Sequence, residues 1–120
     1  MIRVAQILGK MNGGGVEQVV MNYYRFIDRT RVQFDFVVEQ GSAQVPFEEI
    51  SQLGGRVFQV PPMKNLSSYN RALRKLMREQ HWQIVHSHLN ALSVFPLRAA
   101  ACEGVPVRIA HSHSSAGGVE

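Results

Sequence analysis

The sequence predicts a doubly wound α/β domain, a parallel sheet of about five strands with helices on both faces. Three observations predict it. Short apolar runs alternate along the chain with helical patterns, which is the pattern of parallel strands joined by covering helices. A glycine-rich stretch, Gly9 to Gly15, separates the first apolar run from the first helical pattern. The chain has 120 residues, enough for one hydrophobic core and too few for two ordinary domains, and its 45% apolar and 18% charged residues are those of a folded chain. Right-handed crossovers between such strands make the domain Rossmann-like.

The elements follow in order. Ile2 to Leu8 is the first strand. After the glycines, Val16, Val19, Val20, Tyr23 and Ile27 recur at helical spacing and predict one apolar stripe packed on the sheet. Phe34 to Val38 is the second strand. Pro46 to Leu53 reads as a short helix ending at Gly54-Gly55, where a left-handed cap needs glycine. Arg56 to Val60 is the third strand, stopped by Pro61-Pro62. Leu66 to Gln80 is a helix and Gln83 to Ser87 the fourth strand. Ala91 to Glu103 is a helix with Pro96 in or near its first turn, where a missing N–H costs little, and Gly104 ends it. Val107 to His111 is the fifth strand.

Several classes are disfavoured by composition. No apolar run approaches the ~20 residues of a spanning helix. Met1-Ile2-Arg3-Val4 enters a strand at once, which leaves no room for a signal peptide. A lone cysteine, Cys102, fits a reducing compartment, so a cytoplasmic location is expected. The net charge of +4 suits a phosphorylated ligand, an anionic membrane or nucleic acid alike. The sequence from Ser114 to Glu120 reads as loop, leaving the fifth strand without a covering helix. Residues 1–120 are therefore expected to be one domain of a longer protein, with an exposed edge through which the piece could self-associate.

The residues that could carry chemistry gather after strand ends, where ligands bind in open parallel sheets. Gly14 and Gly15 open the first helix, with Glu17 in its first turn. Glycines admit a ligand close to the backbone, and helix-start N–H groups attract phosphate; an ordinary turn is the other reading. A dinucleotide fingerprint would need glycine or alanine where Gln18 stands, although Glu39 lies where a ribose-binding acid should. A P-loop is excluded, because no Gly-Lys-Ser/Thr follows. His86-Ser87-His88 and His111-Ser112-His113 follow the fourth and fifth strands. Four histidines suggest a metal, but each pair is expected not to converge unless its strand has already turned into loop, and from His81 to Val119 the only acid is Glu103. No metal is therefore expected. His86 and His111 read as core or hydrogen-bonding residues and His88 as a histidine facing a cleft. Ser87 and Ser112 lack a nucleophile elbow, and Cys102 in an alanine run looks structural.

The helix from Leu66 to Gln80 divides cleanly. Tyr69, Ala72, Leu73, Leu76 and Met77 share one face, and Arg71, Arg74, Lys75 and Arg78 the other, with no acid among the four cations. That face is either simply solvated or suited to anionic lipid. With no aromatic residue interleaved, it does not suit nucleic acid.

Taken in order, Ile2 to Leu8, Gly14-Gly15-Val16-Glu17, Ile84-Val85-His86-Ser87-His88 and Arg108-Ile109-Ala110-His111-Ser112-His113 resemble the N-terminal domain of family-four retaining glycosyltransferases of the GT-B fold, especially bacterial exopolysaccharide and capsule enzymes. The resemblance implies two Rossmann-like domains facing across a cleft, the N-terminal one receiving the acceptor. Positions matching Gly14 and Gly15 approach the donor diphosphate or the transferred sugar. His88, or His86 if the loop begins earlier, bonds a sugar hydroxyl, and His113, or else His111, lies close by. No cofactor or metal is implied, only a nucleotide-diphosphate sugar as co-substrate. The basic helix is similar to membrane-docking helices of relatives with lipid-linked acceptors. The C-terminal nucleotide-sugar domain is absent from residues 1–120, so the fragment alone is expected to be inactive. The rival expectations are a stand-alone nucleotide- or phosphate-binding module and a metal-dependent hydrolase using the histidine pairs.

Overall fold

Strands β1 (Ile2–Ile7), β2 (Val32–Glu39), β3 (Arg56–Val60), β4 (Ile84–Ser87) and β5 (Val107–Ala110) form one parallel sheet in a computed structural model that describes residues 1–112. Their spatial order is β3-β2-β1-β4-β5, so the direction of winding reverses at β1. Helices α1 (Gly15–Phe26) and α2 (Phe47–Gln52) cover one face; α3 (Leu66–Gln80) and α4 (Val94–Cys102) cover the other. The expected Rossmann-like α/β fold is the one found.

Alternation along each strand divides the core into two layers. Ala5, Ile7, Val37 and Val85 meet Tyr69, Leu73 and Met77 of α3 and Ala99 and Ala100 of α4. On the other face Val4, Phe34, Phe36 and Val38 meet Val20, Met21 and Tyr24 of α1 and Ile50 of α2. Tyr24 stacks on Phe34 at 5.2 Å and meets the edge of Phe36 at 5.2 Å, and its hydroxyl donates to Gln33 Oε1 at 2.6 Å. Gly55 is required here, because a Cβ would strike the Tyr24 hydroxyl and the Phe34 carbonyl.

That aromatic cluster corrects the stripe expected for α1. Val20 and Tyr24 point to the sheet with Met21, whereas Val19 is 41% and Tyr23 65% exposed. Two overlapping stripes of helical spacing run along this helix, and Tyr24, stacked on Phe34 and bonded to Gln33, selects between them. The helix expected from Ala91 also divides, into a 3₁₀ turn (Asn90–Ser93) and α4. Pro96, third residue of α4, has no N–H to donate back to Leu92, so the α ladder cannot run through from Ala91. Gly54 (φ +92°) and Gly104 (φ +75°) end their helices in the left-handed region, as expected.

At the amino end of the sheet, Asp35 is fully buried and holds three partners. Arg3 donates to it at 2.7 and 3.2 Å, Arg56 at 2.6 and 3.1 Å, and the Trp82 indole at 2.8 Å. Burial pushes the Asp35 pKa up, but the hydrogen bonds from Arg3, Arg56 and Trp82 outweigh it and hold the carboxyl below its ordinary 3.8. The clamp ties β1, β2, β3 and the lead-in to β4 together. Asp35→Ala should cost about 3 kcal/mol, the low end for breaking a buried pair because both arginines can turn to water. Since the folded-state pKa is lowered, the carboxylate stabilises the fold above pH 3.8, and this contribution is lost as pH falls through the folded value. Urea titrations across that range should show Asp35→Asn with a flatter acid limb than the parent.

Candidate functional site

The loops after β1 and β4 leave the sheet side by side at the point where the winding reverses, which is where such folds open a crevice. β4 is four residues long, and its ladder continues past its end: the His88 N–H donates to the Ile7 carbonyl at 3.0 Å and the His111 N–H to the Ser87 carbonyl at 2.9 Å. Both histidines are thereby held in register with the sheet.

The expectation that the histidines of a pair diverge is corrected here. Residues two apart on a strand point to the same face, so His86 and His88 share the α1 side, and β5 brings His111 beside them. The rings of His86 and His88 are 4.1 Å apart, and those of His86 and His111 stack at 5.3 Å. His86 Nε2 lies 3.2 Å from His111 Nδ1, and His88 Nε2 2.6 Å from Gln6 Oε1. His88 is buried, His86 half-buried and His111 exposed. Ser87 faces the opposite layer, where its hydroxyl donates to Ser93 at 2.8 Å and fixes the turn behind the histidines. The three rings, with Gln6, Val19, Val20, Tyr23, Ile27 and Phe34, line a cavity of about 300 Å³. His113 lies outside the described residues.

The glycine loop occupies the neighbouring position on the same edge, beside a separate cavity of about 160 Å³ lined by Met11, Gly13, Glu17 and Gln44 among others. α1 thus stands between the two cavities. Segment 42–44 pins the loop: Met11 N–H donates to Ser42 Oγ (2.8 Å), Ala43 N–H to Asn12 Oδ1 (2.8 Å) and Gln44 N–H to the Met11 carbonyl (3.0 Å). Glu17 folds back to accept from the Asn12 N–H at 3.3 Å. Among the described residues no side chain caps the start of α1, and an added Cβ at Gly15 would meet nothing within 4 Å. Helix-start N–H groups beside open space are suited to an anion.

The basic face of α3 is more balanced than its own sequence suggests. Glu103, at the end of α4, accepts from Arg74 at 2.7 Å and Arg78 at 2.8 Å, and these bonds lower its pKa. Lys75 lies 4.0 Å from Glu79. Among the described residues, Arg71 has no ion pair. Sequence reasoning also missed Gln6 and the 42–44 brace. Gln6 did leave a signal, a lone amide within an apolar strand; the brace left none, because it depends on a contact between two loops.

A model of the "glycosyl transferase 4-like domain" matches residues 14–120. The chain belongs to this glycosyltransferase family. It is also 40% identical over 116 residues to "Putative glycosyltransferase EpsF" of Bacillus subtilis (strain 168), a match covering 94% of this chain and 30% of that protein. No solved structure matches significantly.

Within this glycosyl transferase 4-like domain, Gly13 and Gly15 should respond differently to alanine. Gly13 sits at φ +83° and a Cβ there would collide with the Gln44 amide, so Gly13→Ala should lose about 1–2 kcal/mol in a denaturant titration. Gly15→Ala should leave stability within about 1 kcal/mol of the parent.

Proposed function

We propose that this chain is the N-terminal, acceptor-side domain of a two-domain glycosyltransferase that moves a hexose from a nucleotide-diphosphate sugar to a glycan or lipid-linked acceptor, with retention of configuration. Family membership supports the reaction class. One observation carries the placement: the glycine-opened helix and His88 follow adjacent strands at the reversal of winding.

On this reading the donor diphosphate approaches the N–H groups at the start of α1, near Gly14 and Gly15. Those fixed dipoles stabilise the charge that grows on the leaving diphosphate without having to reorient. Glu17, on the first turn, accepts a hydroxyl hydrogen from the sugar. Gln6 orients His88: its carboxamide oxygen lies 2.6 Å from Nε2 and fixes the angle of the imidazole that meets the sugar. His113 is assigned to the same sugar by resemblance. The step needs no metal. The second domain supplies most of the nucleotide contacts, so residues 1–120 alone are inactive.

The product fits exopolysaccharide or capsule assembly at the cytoplasmic face of the membrane. No described helix is long and apolar enough to cross a membrane. Arg71 and Lys75, both exposed on α3, are the cations best placed to reach anionic head groups.

In the full-length enzyme, His88→Ala should lower kcat by about 10²-fold with an unchanged circular dichroism spectrum. Gly15→Ala should raise the donor KM, because its methyl enters the space assigned to the diphosphate. Full turnover in both variants would remove the site from this edge. Joint replacement Arg71→Glu and Lys75→Glu should weaken sedimentation with anionic vesicles by about tenfold, at roughly 1 kcal/mol per charge; equal sedimentation would leave that face merely solvated.

A further inference from the structure

We propose that His86, His88 and His111 form a site for one divalent transition metal of the zinc type, and that a metal held there excludes the sugar from His88. The three imidazoles belong to two adjacent strands and offer one ligand nitrogen each, all within 4.8 Å of one another. One pair is already spaced for a shared ion. Zinc–nitrogen bonds of about 2.0–2.1 Å at tetrahedral angles put ligand nitrogens about 3.4 Å apart, and His86 Nε2 lies 3.2 Å from His111 Nδ1. The His88 ligand nitrogen lies within 4.8 Å of theirs, and His88 carries the outer partner that metal-binding histidines usually have. Gln6 Oε1 lies 2.6 Å from the His88 Nε2 and holds the ring.

The chemistry of the donor set selects the metal. Three imidazole ligands suit zinc, cobalt, nickel or copper and not magnesium or calcium, which take oxygen ligands. The group contains no carboxylate to act as a base, so the site binds and does not hydrolyse. Its cavity is open, with His111 exposed at one wall, so an ion has a path in and a fourth position for water. The binding itself is independent of the proposed function. The competition rests on it, since both ligands would engage the His88 imidazole.

The test is a cobalt(II) titration of the chelator-treated full-length protein, read by visible absorption. One equivalent should give the intense bands of low-coordinate cobalt. His111→Ala and His86→Ala should each weaken binding at least ~10-fold, Gln6→Ala about tenfold through lost orientation, and His81→Ala, remote from the cluster, should bind as the parent does. Absent bands, or equal affinity in His111→Ala, would overturn the site and leave the proposed function untouched. Zinc should also raise the apparent donor KM in transfer assays. Cobalt bands with a zinc-insensitive donor KM would overturn the competition and, with it, the placement of His88 at the sugar.

Discussion

The position of β1 between β2 and β4 is the constraint on which the rest of the structure depends. Right-handed crossovers from β1 to β2 and β3 place α1 and α2 on one face, and the later connections place α3 and α4 on the other. At the central pair β1 and β4 the following segments go to opposite faces, so the loops part there and leave a crevice. The glycine loop and the His88 turn are the two segments that part. Their spacing is set by the β1–β4 register, Gln6 opposite His86 and Ile7 opposite Ser87, and the Gln6–His88 hydrogen bond adds a side-chain tie across it.

The two ends of the sheet divide polar chemistry between stability and binding. At the amino end a buried carboxylate is met by two arginines and an indole, all within hydrogen-bond range, which leaves it with little capacity for a ligand. At the carboxyl end stand a helix start with no side-chain cap among the described residues, a cluster of three imidazoles, and open volume beside Gly15. A fold closed firmly at one end can hold preorganised polar groups at the other, as the proposed transfer site requires.

Much of this was legible in the sequence, for identifiable reasons. Runs such as Val107 to Ala110 and caps such as Gly54 and Gly104 are local signals, and they fell where expected. The α1 face was misread because Tyr23 and Tyr24 satisfy overlapping helical stripes, and the choice lies with Phe34 and Gln33, far along the chain. The charge balance of α3 depended on Glu103, which is 29 positions from Arg74. The convergence of His86 with His88 was misread, since residues two apart on a strand share a face; only the arrival of His111 beside them depended on the distant β4–β5 pairing. His113, on which part of the site assignment rests, lies outside the described residues.

On the proposed reading Gly15 and His88 address one nucleotide-diphosphate sugar. The most direct measurement is a nuclear magnetic resonance titration of the full-length protein, labelled at glycine amides and histidine rings, with a panel of nucleotide-diphosphate sugars and the matching free nucleotide diphosphates. A donor should shift the Gly15 amide and the His88 ring at the same saturating concentration, and the diphosphate without sugar should move Gly15 alone. A donor that binds while leaving both signals unmoved would contradict it.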